Sequence, residues 1–484
     1  MLKRLDYKWI VGIVFVFGLF MDLLDMTITN VALPTLARDF HAGATTIQWV
    51  VTGYLLSLAV FIPVSGWAGD RFGTKRIFMF ALALFTSSSL ACGLAWNIES
   101  LIAFRFLQGV GGGMLTPVGT AMLFRVFPPA ERAAAAAVLT IPMVVAPASG
   151  PVLGGYLVEF HSWRWIFLIN VPVGVAGFLF AALFLREQKQ VSPGRLDVPG
   201  FFLAAAGLGT LMYALAEAGS RGLDDSRVLF FGAVGLALLA AFVLAEMRAP
   251  EPMIDIQLFR NRLFSAANSV QLVGQGGLMG ALFLLPLLLQ AEMGLTPLES
   301  GLTTFPQALG VVSMVQVAGR VYGRVGPRRM MMTGMAGAAL TTLAFLWVDL
   351  ETSQWWIRLI MFARGGSFAL TLIPLQTATF ATMRPDQMGR ASAVFNAGRQ
   401  VAASFGVALL ATVLTNRLAH HDAILGSPAT RGGALSAFHE AFIVAAALGL
   451  LGVLVSLLIS DKEAAPSMRR VVLAEEETAP AGAH

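Results

Sequence analysis

The chain has 484 residues, of which 57% are hydrophobic and 13% charged. Soluble globular chains carry about 25% charged residues, so a deficit this large over this length excludes a soluble multi-domain protein. The net charge of +5 is accounted for by where the basic residues fall along the chain, and is no nucleic-acid signal.

A helix of about 20 apolar residues crosses the ~30 Å hydrocarbon layer. Runs of this kind predict fourteen spans, near 10–36, 46–69, 76–97, 99–124, 134–158, 163–185, 198–218, 228–247, 263–291, 299–322, 329–348, 355–380, 391–416 and 438–460. The first run begins at Ile10 and passes through Leu33-Pro34 without a small-residue cleavage site, so it reads as a retained span rather than a secretory signal. The 49 glycines suit helices that pack closely in lipid. Cys92 stands alone, so no disulfide forms within the chain.

An even span count puts both termini on one side. Placing that side in the cytoplasm gathers most Lys and Arg there, including Lys3, Arg4, Arg71, Lys75, Arg76, Arg186, Arg260, Arg324, Arg328 and Arg329. This is the bias that the positive-inside rule expects. The tail 463–484, with Glu475-Glu476-Glu477, reads as disordered.

The loop from Gly66 to Arg76 has a partner at Gly319 to Arg329, with Gly66, Arg71, Gly73 and Arg76 recurring in register. A weaker echo pairs Arg105 and its following glycines with Arg364, Gly365 and Gly366. The chain therefore reads as a parallel repeat of two six-helix bundles, 1–190 and 258–462, with a two-helix insert at 191–257.

Charges inside spans are costly and mark function. Asp22, Asp25 and Thr29 share one face of the first span. Burial favours the neutral acid and a nearby arginine favours the carboxylate, so an acid between these influences can load and release protons. Arg105, in the fourth span, is expected at the depth of Asp25. Arg364 and Arg399 have no mid-span acid in their half; they can bond backbone carbonyls or meet a polar or anionic group on a substrate. In the fifth span, which runs on through Gly155, Gly150 and Gly154 form a small-residue face, and Pro151 permits a kink.

These motifs together resemble the major facilitator superfamily, in its fourteen-span drug:proton antiporter branch. Leu24 to Pro34 is similar to that branch's first-span motif, and Gly66 to Arg76 to the superfamily's loop between spans two and three. Arg105 with Gln108, Gly109, Gly111 and Gly113 resembles the fourth-span motif, and Ser149 to Gly155 the antiporter signature. Trp163 to Gly174, and Gly389 to Gln400 with Asn396 and Arg399, match further.

The resemblance implies an all-α membrane protein with the major facilitator fold and cytoplasmic termini, in a bacterial cytoplasmic (inner) membrane. It implies that Asp25, with Asp22 and Arg105, couples protons. Gly66, Asp70, Arg71, Gly73 and Arg76 would form a conformational latch, and Gly323 replaces the latch acid in the second loop. Thr29, Gln108, Arg364, Asn396 and Arg399 are the expected substrate contacts.

The expected activity is export of small amphipathic compounds in exchange for protons, with no other cofactor and no metal. Membrane lipids, a periplasmic adaptor and an outer-membrane channel are the partners to consider, and nucleic acid is not. The rival reading is a lipid or envelope-precursor translocase on the same fold. An enzyme or ATP-driven pump is disfavoured, because H-E-x-x-H, G-x-S-x-G and G-x-x-x-x-G-K-[ST] are all absent.

Overall fold

A computed structural model describes residues 6–126, 145–146, 149–187, 196–222, 224–250, 252, 254–383, 387–465 and 468. Among these, every regular element is helical, as a lipid environment demands when each backbone N–H must be satisfied within its own segment.

The first set comprises α1 (Tyr7–Asp39), α2 (Ala44–Phe72), α3 (Thr74–Gly93), α4 (Ile98–Val126), α5 (149–160) and α6 (Trp165–Phe184). A pair follows, α7 (Val198–Arg221) and α8 (Ser226–Arg248). The second set comprises α9 (Arg262–Glu292), α10 (Pro297–Thr304 continued by Pro306–Val325), α11 (Pro327–Trp347), α12 (Gln354–Phe380), α13 (Met388–His420) and α14 (Arg431–Ser456). Side-chain N-caps start several of them: Asp197, Asp225, Asn261 and Ser353 accept from the backbone N–H groups of Gly200, Arg227, Phe264 and Trp355.

Twelve of the described helices are long and apolar enough to cross a membrane. Two predicted spans fall outside this set. Most of 134–158 lies outside the described residues. The span at 299–322 is divided before Pro306, which lacks a backbone donor, and the longer piece carries Gln307, Gln316, Arg320 and Arg324.

The two sets pack in the same order. In the first, α2 and α3 pack on α4, and α1 and α3 on α6; in the second, α10 and α11 pack on α12, and α9 and α11 on α14. The sets meet along a seam between α2 and α13. The α7–α8 pair is not peripheral to it. Helix α7 lies in the seam: Met212 packs with Leu56, Val60 and Ala408, and Thr412 Oγ1 donates to the Leu215 carbonyl at 2.6 Å.

Among the described residues, hydrogen bonds join the sets away from the Gly66–Arg76 loop. Gln290 Nε2 donates to the Val31 carbonyl at 2.8 Å, and Leu298 N to Glu159 Oε2 at 3.0 Å.

Residues 463–465, predicted to belong to a disordered tail, are helical. A helical turn over 461–465 buries Ala464 against Leu263 and Ala267, which removes 463–465 from that segment. Residues 466–467 and 469–484 of the tail, and the domain junction at 188–195, lie outside the described residues.

Candidate functional site

Helix α1 carries both acids into the interior of the first bundle. Asp25 is 0% exposed and Arg105, reaching from α4, is 1% exposed. Arg105 Nη1 pairs with Asp25 Oδ2, and its Nε donates to the Val50 carbonyl at 2.9 Å. The same Nη1 also donates to Gln108 Oε1 at 2.8 Å.

The other Asp25 oxygen accepts from Gln108 Nε2 at 2.9 Å and from Asn170 Nδ2 of α6 at 3.2 Å. Asn170 is steadied by Ser89 Oγ at 3.1 Å. The Tyr54 ring lies under the guanidinium, 4.2 Å from its carbon. A buried ion pair holds only if the remaining lone pairs and donors are also satisfied. Five helices, α1, α2, α3, α4 and α6, supply those partners here.

Asp22 lies one turn earlier in a separate setting. Tyr54 Oη donates to its Oδ1, and Thr116 Oγ1 to its Oδ2 at 3.3 Å. Helix α4 passes this close because Gly112 has no side chain; a Cβ there would sit 2.9 Å from Tyr54 Oη and 3.0 Å from Asp22 Oδ1. Arg399 of α13 lies within electrostatic range of Asp22, which ties the second set to the first set's acids.

Three of the expected substrate contacts hydrogen-bond within the protein. Thr29 is fully buried and donates to the Asp25 carbonyl at 2.7 Å, bracing the turn that holds the acid. Gln108 is fully buried inside the ion-pair network. Asn396 is half-buried and donates to the Ser392 carbonyl at 2.9 Å.

Arg364 and Arg399 do line a common cavity, formed by α9, α11, α12, α13 and α14. Arg364 is 2% exposed; its Nη2 donates to the Leu278 carbonyl at 3.3 Å, and its Nη1 has no partner among the described residues.

The small-residue face of α5 works in two directions. A Cβ on Gly150 would collide with Thr27, and one on Gly154 would sit 3.0 Å from the Ile28 carbonyl, so this face lies against α1 just past Asp25. Gly155 faces Pro297 and Leu298, and Gly301 faces the Pro151 carbonyl, so the next face lies against α10 of the other set. One helix thus touches the acid-bearing helix and the opposite bundle at once.

The basic loop is organised by a residue that sequence reasoning missed. Glu187, just beyond α6, accepts from the backbone N–H groups of Lys75 at 3.1 Å and Arg76 at 3.2 Å, at the positive N-terminus of α3. Gly73, at φ 102°, lets the carboxylate approach. Asp461 does the same in the second set: it accepts from Arg328 N at 2.9 Å beside Gly326, at φ 85°. Gly66 and Arg71 are exposed, Asp70 half-exposed, and Arg76 Nε lies 3.6 Å from Glu187. Glu187 could have been found by asking what faces Gly73. Nothing in the sequence marks Tyr54, and Asn170 stands out only as part of a motif.

A model of the Major Facilitator Superfamily matches residues 15–407. The chain is 37% identical over 408 residues to a multidrug resistance protein B homolog of Mycobacterium tuberculosis (strain ATCC 25618 / H37Rv), covering 83% of this chain and 75% of that one. Among solved structures it is similar to a D-xylose-proton symporter (13% identity, TM-score 0.67, covering 95% and 99% of the two chains). It is also similar to a bacterial homolog of the human lysosomal transporter Spinster in an inward-facing, unoccupied conformation (16% identity, TM-score 0.65, covering 96% and 98%). At these identities the structural matches speak for fold alone. By its sequence match over most of its length, the chain belongs to the Major Facilitator Superfamily, a family of membrane transporters.

Proposed function

We propose that the protein is a proton-coupled antiporter that exports small amphipathic compounds by alternating access. It works in a bacterial cytoplasmic membrane, with fourteen spans and both termini in the cytoplasm. The observation that carries this reading is the Asp25–Arg105 pair, sealed in the first bundle and braced by Gln108 and Asn170.

Protonating Asp25 removes the negative half of the pair. Arg105 is then left as a buried cation seeking another acceptor, and α1 and α4 lose their strongest tie. Because α5 contacts α1 beside Asp25 and α10 beyond it, a shift of α1 reaches the boundary between the bundles. That contiguous route couples the acid's charge to which face is open. The relative named for multidrug resistance supports drug-like cargo, and the basic loop with Asp70 and Arg71 serves as the latch on the cytoplasmic face.

The test uses purified protein in proteoliposomes. Adding an exported dye to one side should release protons in wild type, and an Asp25→Asn variant should bind the dye without moving protons. Coupled transport at the wild-type rate in Asp25→Asn would remove Asp25 from the mechanism.

A further inference from the structure

The C-terminal bundle holds a cavity where the N-terminal bundle holds its ion-pair network. Four of the helices correspond: the network is built on α1, α2, α3, α4 and α6, and the cavity is walled by α9, α11, α12 and α14, the counterparts of α1, α3, α4 and α6, with α13 at its edge.

Glycine contacts set the register between α4 and α12. A Cβ on Gly109 would meet the Tyr54 carbonyl at 2.6 Å, and one on Gly365 would meet the Gln307 carbonyl. Tyr54 and Gln307 each stand twelve residues before the first glycine of their basic loop. Gly365 therefore matches Gly109, and Arg364 stands at the level of Gln108 rather than Arg105. The sequence echo was off by one helical turn.

At that level the first bundle offers Asp25. The second offers no acid: the stretch of α9 along the cavity, 270–278, contains Gln271 and Gln275 but neither Asp nor Glu. Arg364 is left with one carbonyl partner and an open Nη1. Gln271, 3% exposed on the same wall, places Nε2 on the Phe395 carbonyl at 2.7 Å and leaves Oε1 unpaired. The remaining wall is mostly apolar, with Met335, Phe368, Leu372 and Leu375 prominent beside Gln275, Thr342, Thr371 and Gln376.

A buried guanidinium is strongly unfavourable without an anion, and a buried unpaired polar side chain marks a site awaiting its partner. We propose that this cavity is a subsite for the anionic head of an amphipathic ligand. The carboxylate, sulfonate or phosphate docks on Arg364, with Arg399 at the cavity edge. A hydrogen-bond donor near that head satisfies Gln271, and the apolar body lies along Met335 and Phe368. The inference rests on the export reading and deepens it by naming the cargo's chemistry. It needs no proton gradient to be tested.

The probes share one apolar body: 1-naphthaleneacetate, its methyl ester and 2-(1-naphthyl)ethylamine, with lysophosphatidylglycerol as the lipid arm. Equilibrium binding to detergent-purified protein should favour the carboxylate over the ester by at least tenfold, with the amine weakest. Arg364→Gln should collapse that preference to within twofold. Arg364→Lys should retain part of it, and Ala338→Phe, on the cavity wall, should weaken acid and ester alike. Monodisperse elution of each variant separates lost binding from misfolding.

Displacement of the carboxylate by lysophosphatidylglycerol supports the anion site and identifies lipid head groups as occupants. Carboxylate binding that the lipid does not displace supports the site and identifies soluble cargo. Equal binding of acid and ester in wild type, or an acid preference that survives Arg364→Gln, overturns the proposal. Because Asp25 is intact throughout, failure here leaves the coupling reading standing. Failure of Asp25→Asn to uncouple transport likewise leaves this binding result standing.

Discussion

The two bundles share a packing order and differ in what their centres contain. The first closes around a network in which Arg105, Asp25, Gln108 and Asn170 answer one another. The second closes around space, with Arg364 held by one carbonyl. On the proposed reading, a repeat that keeps its scaffold while emptying one centre divides labour between the halves. The filled centre suits an ion that arrives and leaves as a bare proton, needing no room. The open centre suits a ligand with volume.

The largest effect that would test this division is on coupling. Asp25→Asn keeps side-chain volume but removes the charge that Arg105 answers, and it replaces one of two acceptor oxygens, both of which face donors, with an NH2 group. Coupled transport should fall by at least about 100-fold in a proteoliposome dye assay, the scale of a contribution worth about 2.7 kcal/mol or more. Retention of coupling would place the proton site elsewhere, with Asp22 as the next acid to examine.

The second test concerns stability and should give opposite results in the two halves. Arg105→Gln leaves the Asp25 carboxylate buried without its cation, and breaking a buried pair this way costs about 3–5 kcal/mol. Arg364→Gln removes a buried charge that has no anion, so it should be neutral or stabilising. Thermal unfolding in one detergent, followed by tryptophan emission, compares them directly. An Arg364→Gln loss as large as that of Arg105→Gln would mean that Arg364 already has a strong partner and that the halves are alike after all.

What could be read from the sequence follows a physical pattern. Asp25 and Arg105 were legible because a charge against an apolar background stands out, and hydropathy gives its depth. Thr29 was read as sharing the face of Asp25 and expected to meet cargo; in the structure the helix's own carbonyl takes its hydroxyl. Arg364 was placed at the wrong level because a following glycine was taken as the landmark, whereas register depends on which carbonyl that glycine faces. The cavity beside it was invisible, since empty space is a property of packing. Tyr54 was also invisible: a tyrosine in an apolar helix has no distinguishing spacing, yet it donates to Asp22 and underlies Arg105. Tyr54→Phe should keep the ring beneath Arg105 and remove one donor to Asp22. The expected cost is about 1–3 kcal/mol, the price of a buried acceptor losing a partner, read as a lower unfolding temperature. No change would mean that water or Thr116 replaces the phenol.

The smallest effect is expected where the halves are most alike. Glu187 and Asp461 each place a carboxylate on the first backbone donors of a helix, α3 and α11, beside a left-handed glycine. A charged acceptor at a helix N-terminus contributes about 0.5–2 kcal/mol by capping, plus a dipole contribution that salt screens. Glu187→Gln and Asp461→Asn keep some hydrogen bonding and lose the charge, so each should cost about 1 kcal/mol, and the two losses should shrink together as salt is raised. Glu187 also lies 3.6 Å from Arg76, a contact with no counterpart among the bonds that Asp461 makes to α11. That exposed ion pair adds little to stability, but it belongs to the proposed latch. Stability should therefore fall equally in the two variants, while the rate of dye transport shifts only in Glu187→Gln. Equal shifts in rate would assign the basic loops a purely architectural role in both halves, and the functional difference between the bundles would then lie wholly in their centres.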